Sequence, residues 1–170
     1  MGGQGRNERT DGMIVNGKRL LEYTPIKYML DHKVRGPVTS HGLSECGYDL
    51  RLKQDIVFTS VGGEVDGIWS ACTFTLASAM EEFQMPDHLC GVVHDKSTWA
   101  RRGLSVFNTV IESGWRGHLT LELVYHGRER LHIPAGSGIV QVLFHYTTDS
   151  ATYDGKYQNQ PDRPVEAING

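Results

Sequence analysis

The chain of 170 residues is long enough to form one domain with its own hydrophobic core. Hydrophobic residues make up 39% of it and charged residues 22%, values typical of a soluble globular protein. The formal net charge of −3 excludes an overall basic field. We therefore expect no polynucleotide partner, although a local group of cations could still bind a small anion.

The three cysteines, Cys46, Cys72 and Cys90, are far apart in the sequence and form no C-x-x-C pair. This pattern argues against a disulfide framework and a cysteine-rich zinc site, and it predicts a reducing, cytoplasmic location. No apolar run reaches the roughly 18 residues of a membrane span, so we expect no membrane partner. Residues 1–11 are polar and glycine-rich, which predicts a disordered leader rather than a signal peptide.

The segment that follows the leader contains the best helix pattern of the chain, between residues 24 and 35. Thr24 is a suitable N-cap residue, and Pro25 suits the first position of a helix. The glycine–proline pair at 36–37 should end the helix. The residues that would share its apolar face are Ile26, Met29 and Leu30.

From Tyr48 onward, short runs of β-forming residues alternate with Gly, Pro, Asp and Ser. Such runs predict a mainly β domain, a barrel or a jelly roll, over residues 12–146. The polar residues 147–170 have no core periodicity. They are expected to form a C-terminal arm or a lid over the active site.

A group of cations and hydroxyls is the first candidate site. It contains Lys96, Ser97, Thr98 and Arg101 within six residues. Such side chains suit phosphate oxygens, because charge-assisted hydrogen bonds are the stronger kind. A solvated basic turn that opens a helix would have the same pattern.

Two glutamates mark the second candidate site. Glu112 precedes a Ser-Gly turn, and Glu122 lies at the centre of a predicted strand, on the same face as Thr120. A glutamate in this position most often faces solvent. If the face lines a cleft instead, burial would raise the pKa of Glu122 and allow it to accept and return a proton. The apolar face of the strand is predicted to hold Leu119, Leu121 and Leu123.

The tail contains the third group of candidates, between Tyr153 and Gln160. The charge of Lys156 suits a triphosphate, and the amide of Gln160 suits the edge of a base. Taken alone, this stretch, which also holds Tyr157, is more typical of a disordered tail.

The eight histidines show no metal-binding spacing. The chain has neither H-E-x-x-H nor an H-x-E paired with P-C-x-x-C, the signature of zinc-dependent base deaminases. We therefore expect no metal ligands among the protein side chains, and no zinc.

Four stretches together resemble the dCTP deaminase family of the dUTPase-like superfamily. They are GYDLRL at 47–52, DKSTWARRGLSV at 95–106, VIESGWRGHLTLEL at 110–123 and KYQNQ at 156–160. The resemblance implies a mainly β fold, a distorted barrel or jelly roll of the dUTPase-like type with a short N-terminal helix. It also implies a homotrimer with active sites shared between subunits, Mg²⁺ carried on the substrate triphosphate, and no catalytic zinc.

The resemblance further implies the roles of individual residues. Glu122 matches the catalytic glutamate, and Ser97 and Arg101 match residues of the catalytic pocket. Glu112 stands where the family carries an aspartate near the deoxyribose. The expected substrate-binding residues are Lys96, Thr98, Asn108, Thr109, Glu112, Tyr153, Lys156 and Gln160.

The reaction implied is hydrolytic deamination of a deoxycytidine nucleotide, dCTP to dUTP and ammonia, with Glu122 as general base. Three departures from the family leave other substrates open. Lys96 stands where many members have arginine, Glu112 replaces an aspartate, and the segment 106–115 is shorter than in the monofunctional bacterial enzymes. The alternatives are dCMP, a modified cytosine nucleotide and dUTP.

Two other functions fit the same fold. A dUTP pyrophosphatase, or a bifunctional enzyme, would use Glu112 to activate water, but the C-terminus lacks the glycine-rich arm of the dUTPases. A regulator that binds nucleotides without turning them over is the remaining alternative.

Overall fold

The structure is a computed structural model that describes residues 13–65 and 68–169, so the predicted leader at 1–11 lies outside the described residues. The helices are α1 (Gly17–Tyr23) and α2 (Ser97–Ala100). No described helix is long and apolar enough to cross a membrane. The strands are β1 (Ile14–Val15), β2 (Lys33–Val34), β3 (His41–Leu43), β4 (Tyr48–Arg51), β5 (Ile56–Phe58), β6 (Gly63–Val65), β7 (Ile68–Ser70), β8 (Phe74–Gln84), β9 (Leu89–Asp95), β10 (Leu104–Val106), β11 (Val110–Ile111), β12 (Arg116–Tyr125), β13 (Leu131–Ile133) and β14 (Gly138–Tyr146).

These strands form one large sheet, one three-stranded sheet and two short ladders. In the large sheet the order is β11-β9-β14-β4-β3-β2, and β1 pairs with β14. The three-stranded sheet has the order β10-β12-β8, and the ladders are β13-β5 and β6-β7. Neither larger sheet closes on itself in the described part of the chain, so the arrangement is open and jelly-roll-like. The predicted mainly β class is confirmed.

The two larger sheets share one hydrophobic core. Leu121 and Leu123 of β12 are fully buried, as are Val140 and Val142 of β14. Burying one large apolar side chain stabilises the fold by roughly 1.5–3 kcal/mol. The core also holds α2 in place, because Trp99 is buried and its Nε1 donates to the Gly138 carbonyl on β14 at 2.8 Å.

A buried ion pair joins the two larger sheets. Glu81 on β8 has a side chain that is 3% exposed, and it accepts hydrogen bonds from Arg51 on β4. The Arg51 Nε donates at 2.7 Å and the Arg51 backbone N–H at 2.9 Å. Burial raises the pKa of Glu81, and both bonds from Arg51 act against that rise. The pair therefore satisfies a carboxylate that would otherwise destabilise the interior.

The short N-terminal helix is present, but it precedes the predicted position. It covers Gly17–Tyr23 instead of residues 24–35. Thr24 ends the helix rather than starting one, because it has a left-handed conformation with φ 45° and donates its N–H to the Leu20 carbonyl. The predicted helix bounds were therefore wrong.

Pairing with β8 explains why the next residues are not helical. The Gln84 N–H donates to the Pro25 carbonyl at 2.8 Å, and the Lys27 N–H donates to the Glu82 carbonyl at 2.9 Å. Between these bonds Ile26 is fully buried. Backbone bonds to a sheet and a buried side chain together outweigh a local helix preference of a few tenths to about 1 kcal/mol per residue.

The C-terminal tail lies against β12. Gln160 forms a parallel bridge with Gly117, and its carbonyl accepts the His118 N–H at 3.1 Å. The indole N–H of Trp115 donates to the Tyr157 carbonyl at 2.7 Å. These bonds bring the tail beside the strand that carries Glu122.

Candidate active site

A cavity of about 1030 Å³ lies where β12, the segment 107–115 and the tail meet. One wall is the outward face of the three-stranded sheet, and the opposite wall is formed by tail residues. The residues that line the cavity are Phe74, Thr75, Leu76, Val93, Asn108, Thr109, Val110, Ile111, Glu112, Trp115, Leu119, Thr120, Glu122, Tyr153, Tyr157, Gln160, Pro164, Val165, Glu166 and Ala167.

The cavity brings together some of the predicted site residues and leaves others apart. Those that line it are Asn108, Thr109, Glu112, Glu122, Tyr153 and Gln160. Those outside its described lining are Lys96, Ser97, Thr98, Arg101 and Lys156.

Glu122 reaches the cavity because of the alternation along β12. Leu121 and Leu123 are fully buried on one face, so the half-buried Glu122 side chain points to the other. Burial raises the pKa of Glu122, which suits a group that exchanges protons. Leu119 does not follow the predicted alternation. It lines the cavity beside Thr120, because the register with β8 shifts between His118 and Thr120.

Asn108 supports the backbone on either side of Leu121. Its Nδ2 donates to the Thr120 carbonyl at 2.7 Å, and its Oδ1 accepts the Glu122 N–H at 2.9 Å. Both ends of this amide are therefore engaged by β12. The contact fixes the main chain that carries Glu122.

The second glutamate lies at the rim of the same cavity. Glu112 and its neighbour Thr109 are exposed, whereas Glu122 is half-buried. Burial raises the pKa of the nearby Cys90 thiol, and the charge of Glu112 adds to that rise. A single cavity thus presents two carboxylates in different surroundings.

The predicted tail residues have different partners. The Tyr153 N–H donates to the Ser113 carbonyl at 2.8 Å, and the Tyr153 hydroxyl accepts the Tyr157 N–H at 3.3 Å. Lys156 points towards the end of the tail. Its ammonium group donates to the Ile168 carbonyl and lies 5.5 Å from the centre of the Tyr157 ring.

The first predicted cluster opens α2. Ser97, Thr98 and Arg101 are exposed. Lys96 is mostly buried and forms an ion pair with Asp49, whose side chain is 2% exposed. In this chain, the cluster therefore presents hydroxyls and a guanidinium group to solvent at a surface outside the cavity lining.

The charge of the cavity lining has one sign. Three carboxylates line it, those of Glu112, Glu122 and Glu166, and its described residues include no Lys, Arg or His. Among the residues that the structure describes, no group of three or more His, Cys, Asp or Glu side chains is arranged to hold a metal ion. A polyphosphate in this cavity would have to obtain its cationic partners from elsewhere.

Several residues of the cavity are not among those predicted from the sequence. Thr120 could have been found, since it shares a strand face with Glu122. Val165 and Glu166 had no signal, because the tail has no periodicity and its position depends on backbone hydrogen bonds.

Comparison with solved structures identifies the class of fold. The EIAV dUTPase aligns with a TM-score of 0.50 and 19% identity, covering 78% of this chain and 93% of that one. The 2'-deoxycytidine 5'-triphosphate deaminase from Agrobacterium tumefaciens aligns with a TM-score of 0.56 and 17% identity, covering 80% and 48%. The fold is therefore dUTPase-like, as predicted.

Sequence comparison identifies the family. The dCTP deaminase-like family model matches residues 64–147. The dCTP deaminase of Campylobacter jejuni (strain RM1221) is 35% identical over 166 aligned residues, covering 84% of this chain and 89% of the relative. That of Herpetosiphon aurantiacus is also 35% identical, covering 82% and 88%. The chain belongs to the dCTP deaminase family and is an enzyme of the hydrolase type.

Replacing Gly117 by alanine should release the tail from β12. Gly117 has φ 127°, and a Cβ atom there would lie 2.4 Å from the Gln160 backbone nitrogen. We expect faster amide hydrogen exchange over residues 157–167 and a loss of activity, with the core retained.

Gly63→Ala is the matched control, since Gly63 also has a positive φ (86°) but a Cβ atom there meets no described residue within 4 Å. Equal exchange rates over the tail in the two variants would show that Gly117 does not hold it.

Proposed function

We propose that the protein removes the 4-amino group of a deoxycytidine nucleotide by hydrolysis, converting dCTP to dUTP and ammonia. The observation that carries the proposal is Glu122, a half-buried carboxylate with a raised pKa in a cavity large enough for a nucleotide. Membership of the dCTP deaminase family supports the substrate class.

In the proposed mechanism, Glu122 is the general base. Water attacks C4 of the pyrimidine, and Glu122 takes the proton from that water. It delivers that proton to the ring nitrogen N3, then takes the second proton from the C4 hydroxyl and delivers it to the amine, which leaves as ammonia while the C4 carbonyl forms. Proton transfer of this kind typically contributes about 10²–10⁴-fold to the rate. Asn108 keeps the Glu122 backbone in position through its two bonds to β12.

We further propose that each active site is shared between neighbouring subunits of a homotrimer. The cavity lining has three carboxylates and, in the described residues, no cationic side chain, so it cannot hold a triphosphate alone. Ser97 and Arg101 are exposed on another surface of the chain, where they can reach a neighbouring cavity and orient the water.

The substrate in this proposal is the Mg²⁺ complex of dCTP. Lys96, Thr98 and Lys156 provide groups for its phosphates. Exposed apolar side chains beside the cavity, Phe74 and Val110, supply area for the contact between subunits.

Glu112 supports a second activity at the same site. Its carboxylate lies at the rim of the cavity, away from the buried position of Glu122. A water held there could attack the α-phosphate, which would make the enzyme bifunctional and release pyrophosphate from dUTP. Chromatography of the products formed from dCTP and from dUTP distinguishes the two activities.

Glu122→Gln should lower deamination by about 10²-fold or more while leaving nucleotide binding nearly intact. The amide keeps the shape of the side chain but cannot accept and return the proton. The measurement is the rate of dUTP formation from dCTP. Glu129→Gln is a matched control, because Glu129 is exposed and outside the cavity lining. Deamination at the wild-type rate by Glu122→Gln would refute the mechanism.

The pH dependence of kcat/KM should reflect the ionisation of Glu122. Because burial raises the pKa of Glu122, its basic form is lost as the pH falls through that raised value. We expect kcat/KM to decline on the acid side with a midpoint above about 4.3, the ordinary pKa of glutamate. Residual activity of Glu122→Gln should lack this decline. An acid limb at or below the ordinary value would contradict the role of burial.

A shared site predicts complementation between two inactive variants. In trimers that contain both Glu122→Gln and Arg101→Ala subunits, some sites combine an intact glutamate from one chain with an intact arginine from the next. Random assembly should restore about one quarter of the sites. Activity is measured after co-expression, and the mass of the assembly by light scattering. A monomer, or a mixture no more active than its components, would refute the shared site.

A further inference from the structure

A buried hydroxyl connects the strand of Glu122 to the tail. Thr120 is 8% exposed, and its Oγ1 makes two hydrogen bonds. It accepts the backbone N–H of Val165 at 3.0 Å and donates to the Oε1 of Gln160 at 3.2 Å. Two segments that are distant in the sequence, β12 and the tail, therefore meet at one oxygen atom.

The direction of these bonds follows from the chemistry of the groups. A backbone N–H can only donate, so the Thr120 oxygen must act as the acceptor for Val165. The proton of the hydroxyl is donated to the Gln160 amide oxygen Oε1, which lies 3.2 Å away. In this arrangement the oxygen end of the Gln160 amide faces Thr120.

The other end of the amide is directed away from Thr120. Among the described residues, the Nε2 of Gln160 donates to no partner, although the side chain lines the cavity. The Gln160 backbone is fixed by the bridge to Gly117 and the bond from His118. The side chain therefore cannot turn over without losing the bond from Thr120.

We propose that Thr120 is a positioning residue that holds the Gln160 amide with its amino group towards the pyrimidine. This inference rests on the proposed function. The cavity then offers a fixed donor, and the acceptor that fits it is the base carbonyl O2, because N3 must receive the proton from Glu122. A hydrogen bond to O2 also withdraws electron density from the ring and favours attack of water at C4.

Thr120→Val removes the hydroxyl and keeps the branched shape, whereas Thr120→Ser keeps the hydroxyl. In a Glu122→Gln background, where turnover is slowed by about 10²-fold or more, we expect Thr120→Val to weaken the binding of dCTP and of dUTP alike by about tenfold. Both bases carry O2, so their affinity ratio should not change. Thr120→Ser should retain the wild-type dissociation constants, measured by calorimetry with Mg²⁺ present.

Two further variants separate positioning from a structural role. In a Gln160→Leu background, Thr120→Val should have no further effect on affinity, because its influence passes through the amide. Val165→Pro removes the N–H that helps to orient the Thr120 hydroxyl and should weaken binding in the same direction as Thr120→Val, whereas Val165→Ala keeps the N–H and should not. Additive losses from Thr120→Val and Gln160→Leu would overturn the inference, as would tighter binding of dUTP by Thr120→Val.

The outcome also distinguishes this inference from the proposed function. If the wild-type protein neither binds nor deaminates dCTP, the proposed function fails. If it deaminates dCTP and Thr120→Val binds as tightly as Thr120→Ser, only the positioning role fails.

Discussion

The close approach of two backbones at Gly117 is the constraint on which the cavity depends. The tail makes a bridge there, and a side chain at Gly117 would collide with the main chain of Gln160. From this point the tail continues to Val165, whose N–H bonds to Thr120. The described residues of the tail form no strand inside the core. The position of this wall of the cavity therefore depends on a few directional hydrogen bonds.

The fold could be predicted from the sequence where apolar and polar side chains alternate. It could not be predicted where backbone hydrogen bonds to a distant segment determine the conformation. The β class and the outward direction of Glu122 follow from apolar residues at every second position. Thr24 and Pro25 instead gave a misleading helix signal, because the next residues find hydrogen-bond partners on β8. Local preference carries no information about a strand 60 residues away, and the same limit applies to the docking of the tail.

The candidate site shows a related limit. Glu112 and Glu122 are close enough in the sequence for one cavity to contain both. The structure places both of them in the cavity lining. The cluster with Ser97 and Arg101 lies elsewhere on the same chain, although it belongs to the same family motif set. A linear pattern specifies which residues occur together in a family but not where the folded chain places them. The charged side chains of the described lining are all carboxylates, and for this reason we propose that cations from outside the lining bind the phosphates.

Asn108 has a consequence for how the position of Glu122 is held. Main-chain pairing with β12 reaches Phe107, whose N–H donates to the Glu122 carbonyl, and the Asn108 side chain then takes the place of the next peptide group. Beyond Asn108 the chain leaves β12 and pairs with β9 instead, since the Thr109 carbonyl accepts the Val93 N–H and β11 follows directly. Asn108 thus stands where the chain passes from one sheet to the other, and it holds the register of Glu122 separately from the cavity wall that β11 provides.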